Sequence, residues 1–193
     1  MTTLYIIRHA EADNFIHDDR TRPLTEKGRH DAEKLAEAFG NIHFDCLYSS
    51  PYQRTVDTIT PLATKLGIAV ETIDDFRERK PADVWVEDFG EFMAREWADF
   101  SFKLPGGESL YEVQQRFTAA IGMVCDENSE KNIAIATHGT ALCATLNYYD
   151  NSFGFQDFLE LVNVKPFVLR LEFEGEKFLS WEIVEEINDN SRN

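Results

Sequence analysis

The feature that most constrains this chain is a repeating order of short apolar runs and longer amphipathic stretches. "LYII" (4–7) is nearly continuous in apolar residues, too short for a helix, and suited to a central strand buried on both faces. A polar loop follows, and Thr25 can then cap a helix that sets Ala32, Leu35, Ala36 and Phe39 on one face, with Gly40 standing where a left-handed terminating residue is wanted. "FDCLYSS" (44–50) reads as a second strand. Ser50-Pro51 reads as the cap and first turn of a second helix, whose buried stripe is Val56, Ile59, Ala63 and Leu66 before Gly67. "AVETI" (69–73) is a weaker strand. A helix after "PGGES" (105–109) carries Leu110, Val113, Phe117, Ala120, Ile121 and Val124 at helical spacing, and "NIAIATHG" (132–139) is a further buried strand ending in a histidine. "FVLRLEF" and "KFLSWEIV", joined through "EGE", alternate as a closing antiparallel hairpin.

Strands alternating with helices predict an α/β fold, a three-layer α/β/α sandwich around a mostly parallel sheet. At 193 residues and 43% hydrophobic, the chain suits one domain over 1–193. The rhythm loosens from Pro81 to Pro105, where Trp85, Phe89, Phe92, Trp97, Phe100 and Phe102 alternate with acids. These read as helical pieces laid over one end of the sheet, a small helical cap inserted at about 79–105. The acidic tail after Glu185 is expected to fray.

A formal charge of -16 argues against nucleic acid or an anionic membrane as a partner, because neutralising phosphates takes clustered Lys and Arg. An anionic ligand must therefore meet a local positive pocket. Cys46, Cys125 and Cys143 lie in apolar stretches and are expected to be reduced thiols, which suits a reducing compartment. With no basic-flanked apolar leader and no run of some 18 apolar residues, a soluble cytoplasmic protein is expected; oligomeric state is not legible.

In open α/β sheets ligands sit beyond the carboxyl ends of the strands, which places His9 and His138 on one rim. A lone histidine after a strand is ordinarily a hydrogen-bonded structural residue; two on one rim, with Arg8 directly before the first, point elsewhere. An arginine ending a core strand needs a partner in place, and an anion supplies one. Arg54 adds a positive group in the opening turns of a helix, where the dipole already favours an anion. Together Arg8, Arg54 and His138 describe a phosphoryl site, because guanidinium forks bind its oxygens bidentately and fixed donors stabilise redistributing charge. A neutral His9 can attack phosphorus and split one hard displacement into two. The leaving oxygen needs an acid: Glu78, in "DFRERK" after the third strand, is the first choice, favoured if a cap shields it from water. Glu108 is the rival, but beside Ser109 it fits first-turn stabilisation of the following helix better.

"YIIRHAEA", "SSPYQRTVDT", "PGGES" and "ATHG" occur in order and resemble the histidine phosphatase superfamily, the phosphoglycerate-mutase-like fold, over roughly Leu4 to Gly139. The resemblance implies His9 as the phosphorylated nucleophile, Glu78 as proton donor and Arg8, Arg54 and His138 as phosphate ligands, with no metal or other cofactor. It adds as substrate-binding residues Asn14, since an Asn commonly follows the family's first motif, and Arg22, since "DDRTRPLTEKG" is similar to the small phosphohistidine-phosphatase branch. Ala10 stands where the family usually has glycine after the Arg-His pair, "ERKPAD" lacks the glycine often found after the acid, and Asn14 is one place early. The expected activity is a metal-independent phosphomonoesterase working through phosphohistidine on a small phosphorylated metabolite. The alternatives are a phosphoglycerate mutase, a phosphohistidine protein phosphatase, a metal-dependent hydrolase using "HAEAD" and "HDD", and an inactive binding protein on the same fold.

Overall fold

Along the first strand, β1 (Thr2–Arg8), successive side chains enter two different cores: Leu4 and Ile6 join one apolar cluster, Tyr5 and Ile7 the other. That two-sided burial is why the run reads as continuously apolar, and it fixes β1 in the middle of the sheet. The computed structural model describes residues 1–40, 42–84 and 86–185. Its elements are α1 (Glu26–Ala38), β2 (Cys46–Ser49), α2 (Gln53–Leu66), β3 (Val70–Thr72), a 3-10 turn (Asp74–Phe76), α3 (Phe89–Ala98), α4 (Leu110–Glu127), β4 (Asn132–Thr137), α5 (Gly139–Tyr149), α6 (Phe155–Leu161), β5 (Phe167–Glu174) and β6 (Lys177–Ile183).

The sheet order is β3-β2-β4-β1-β5-β6. The first four of these strands run parallel, and the β5–β6 hairpin adds to the free side of β1 in antiparallel sense. Leu35, Ala36 and Phe39 of α1 and Ile59 and Leu62 of α2 cover one face. The other face is covered by α4 through Leu110, Val113, Phe117 and Ile121 and by α5 through Ala141, Leu142 and Leu146. The three-layer α/β architecture is therefore present, with its mostly parallel sheet and closing hairpin. Among the described residues, no helix is long and apolar enough to cross a membrane. All three cysteines are free thiols.

Thr25 caps α1, its hydroxyl accepting from the Gly28 N–H at 2.9 Å, and Gly40 and Gly67 take the left-handed φ of 47° and 69° that ends α1 and α2. Two local readings change. Ser50-Pro51 is not the start of α2: the helix begins at Gln53, with no side-chain cap bond from Tyr52, and the buried Ser50 hydroxyl accepts from the Tyr52 N–H at 3.3 Å and lies 2.8 Å from His138. Nor does Glu108 stabilise the first turn of α4. Ser109 and Glu112 form that capping box, and Glu108 is taken up by arginines. Between 79 and 109 the regular element is α3 alone, whose Phe92 is buried. Trp85 and the tail from 186 onward lie outside the described residues.

Candidate active site

Arg8 ends β1 opposite Thr137, the last residue of β4, so the two strands stop level with each other. The His9 N–H donates to the Thr137 carbonyl at 3.0 Å, and the His9 and His138 rings meet edge to face with centroids 5.4 Å apart. Both histidines are buried. His9 Nδ1 lies 2.7 Å from the Ala10 carbonyl, which can only accept, so Nδ1 carries the hydrogen and Nε2 keeps its lone pair. That Nε2 accepts from Nε–H of Arg54 at 3.2 Å. Burial, followed by the charges of Arg54 and Arg8, holds His9 well below the usual histidine range, so its ring is neutral. Burial does the same to His138, with Arg54 again the next cause; its Nε2 lies 2.8 Å from the Ser50 hydroxyl and its Nδ1 has no partner.

Arg54 projects from the first turn of α2 with its side chain almost fully covered. Its NH1 reaches the Asp19 carbonyl at 2.6 Å and the Asp19 carboxylate at 3.1 Å, which steadies the guanidinium beside His9. Arg8 is held from the opposite side by carbonyls: NH1 donates to Leu161, Val162 and Val164 at 3.0, 2.7 and 2.9 Å, capping the C-terminal end of α6. Among the described residues its Nε has no partner. A Cβ on Gly139 would stand 2.9 Å from Arg8 Cζ and Nε, so the guanidinium lies against bare backbone at the start of α5.

Glu78 faces the same helix start. Oε1 accepts from the N–H groups of Arg79 and Ala141 at 2.8 and 2.9 Å, and Oε2 from that of Thr140 at 3.2 Å. The loop carrying it is gripped by Arg116 of α4, which donates to the carbonyls of Asp75, Arg77 and Glu78. Glu108 in turn bridges Arg116 Nε at 2.9 Å and Arg77 NH2 at 2.8 Å, so its function is to orient the arginine that holds the Glu78 loop. On the far side of Glu78, the buried Arg79 lies 3.3 Å from Glu96 of α3 and over the Phe92 ring, tying α3 to the site.

Five sequence-derived residues thus converge: Arg8, His9, Arg54, Glu78 and His138. Arg22 lies one step out, 3.4 Å from the Asp19 carboxylate that also pairs with Arg54, with its own Nε on the Ile16 carbonyl. Asn14 is exposed and lines a neighbouring cleft rather than the His9 pocket. Sequence reasoning missed Asp19, Ser50, Arg116 and Lys165. Of these, Asp19 and Ser50 stood inside quoted motifs: "DDRTRPLTEKG" drew attention to Arg22 instead of Asp19, and the reading of Ser50 as a helix cap concealed its bond to His138. A neutral imidazole whose Nε2 lone pair faces an Arg54 N–H, with two guanidinium groups around it, is an arrangement that can take up an anion and set a nucleophile against it.

The model of the histidine phosphatase superfamily (branch 1) matches residues 4–184. The chain is 26% identical over 182 residues, 92% of each partner, to the uncharacterized phosphatase PhoE of Bacillus subtilis (strain 168). It is 26% identical over 159 residues, 72% of this chain and 71% of the other, to phosphoserine phosphatase 1 of Hydrogenobacter thermophilus. Among solved structures, Bacillus stearothermophilus YhfR superposes with a TM-score of 0.74 at 25% identity over 93% of this chain and 95% of its own. Motif order, strand topology and these likenesses agree: the chain belongs to the histidine phosphatase superfamily.

Proposed function

We propose that the protein is a phosphomonoesterase acting on a small phosphorylated metabolite through a phosphohistidine formed on His9, without a metal ion. The observation that carries this reading is the His9 ring itself: neutral, its Nδ1–H fixed on the Ala10 carbonyl, and its Nε2 lone pair beside Arg54. When a phosphomonoester enters, its oxygens take the Arg54 donor from Nε2, and Arg8 and His138 complete the cradle, while the Thr140 and Ala141 N–H groups hold Glu78 beside it. His9 Nε2 attacks phosphorus, the phosphorus–oxygen bond to the leaving group breaks, and Glu78 protonates the departing alkoxide. Glu78 Oε2, which carries only the single bond from Thr140, is the oxygen with room for that proton. Water then attacks phosphorus, gives its proton back to Glu78, and the phosphorus–nitrogen bond breaks to release phosphate and free His9.

The test is acid-labile phosphate trapped on the chain during turnover of a phosphomonoester, and its loss with His9→Ala. Turnover without a labile phosphoenzyme would overturn the mechanism. Phosphoryl exchange between a phosphoglycerate and its bisphosphate that outpaces phosphate release would replace hydrolase with mutase. Activity unchanged in excess chelator is the expected result for a metal-independent reaction, and its loss would overturn that part of the reading.

A further inference from the structure

A second, open cleft of about 550 Å³ lies beside the His9 pocket, lined by Glu11, Asp13, Asn14, Lys27, Asn163 and Lys165 among others. Its charged groups are not equivalent. The Glu11 carboxylate accepts from the Thr25 hydroxyl at 2.8 Å, Asp13 Oδ1 accepts from the Phe15 N–H at 3.0 Å, and Lys27 is paired with Asp31. Lys165, only partly exposed, has no hydrogen bond or ion pair among the described residues. Its place lies just before β5. Arg8 pairs with Phe167 across β1 and β5, two residues beyond Lys165, and the charge of Lys165 acts on His9. The Arg8 guanidinium, bonded to the carbonyl of Val164 at 2.9 Å, holds the residue just before it.

A half-buried ammonium with no ion pair among the described residues has lost part of its hydration without a direct partner, so an arriving anion is favoured there. Two arginines already serve the phosphoryl pocket. Burial and the charges of Arg8 and Arg54 lower the lysine's proton affinity, whereas Glu11 and Glu78 support its charge, as expected for a group standing between the pocket and the cleft. We propose that Lys165 is a specificity-determining residue that pairs with a second anionic group of the substrate, lodged in the Asn14–Lys165 cleft while the phosphoryl group occupies the His9 pocket. The inference rests on the phosphatase reading above for the place of the phosphoryl group.

The experiment separates binding from turnover. On a His9→Ala background, calorimetry gives affinities for 2-phosphoglycolate, ethane-1,2-diol bisphosphate and ethyl phosphate, which share one phosphoryl group and differ in the second. The expected result is a preference for at least one doubly anionic probe over ethyl phosphate. That preference falls about tenfold with added Lys165→Gln and is kept with Lys165→Arg. The probe that shows the fall identifies the second group as carboxylate or phosphate. An unchanged ratio, or no preference before the lysine is altered, overturns the proposal. Phosphate release by the unaltered chain is measured alongside: if it is absent while the ratio still falls, the phosphatase reading fails and the role of Lys165 stands.

Discussion

The Nε–H of Arg54 donates to His9 Nε2 at 3.2 Å, so one arginine both adds to the burial that keeps the imidazole neutral and holds its Nε2 side. After burial, its charge is the largest cause of the depressed His9 and His138 proton affinities. Arg54→Gln is expected to lower kcat/KM by about 10²–10³, as loss of a donor to developing charge does elsewhere. It also moves the acid limb of the pH–rate profile upward, because His9 then protonates more readily. A drop in rate with the acid limb unmoved would refute the electrostatic part of this account.

Glu78 and Glu108 are separable by the size of their effects. Protonation of the leaving group matters for an alkyl phosphate and little for p-nitrophenyl phosphate, so Glu78→Gln should depress kcat/KM on the former by about 10²–10⁴ and far less on the latter. Glu108→Gln loosens the Arg116 and Arg77 clamp on the Glu78 loop and should give a smaller loss in the same direction. Equal losses in the Glu78 variant would remove it as proton donor.

Gly139→Ala places a methyl 2.9 Å from the Arg8 guanidinium. The chain should keep its circular dichroism spectrum and lose about 1–3 kcal/mol of stability to overpacking. Activity should fall by about 10², because displacing a positioning group by about an ångström costs that much. Normal activity would mean that Arg8 does not need its place against α5.

Burial pushes the Glu96 carboxyl from its ordinary 4.5 up to about 7, despite Arg79 beside it. The folded state therefore binds the proton more tightly than the unfolded state. Its contribution to stability is full below about pH 4.5 and is lost as the pH rises through 7. Thermal unfolding should show the melting temperature of Glu96→Gln falling less between pH 5 and 8 than that of the unaltered chain. Parallel curves would show that Glu96 does not titrate in this window.

The strand ends were legible because burial on both faces writes itself as an unbroken apolar run, and a polar residue at its end marks the rim: His9 and His138 were found this way. Glu78 was legible as an acid near that rim, but not as the acceptor for the first N–H groups of α5, since α5 is buried along much of its length and its apolar sequence conceals where it begins. The partners of Arg8 were out of reach for a different reason. Its donors go to main-chain carbonyls of Leu161, Val162 and Val164, and a carbonyl acceptor leaves no trace in residue type. Arg116 escaped likewise, because the loop it holds is gripped by backbone carbonyls; Lys165 escaped because only the folded chain brings the start of β5 back to the end of β1.

Strand β4 lies between β1 and β2, although it is the last of the three to leave the ribosome. Until Asn132–Thr137 has been made and inserted, the two earlier strands have no common neighbour, His9 lacks the carbonyl that anchors its main chain, and Arg54 has no formed rim to face. That late, long-range closure is of the kind that slows folding, and it is the step that first sets His9 beside His138.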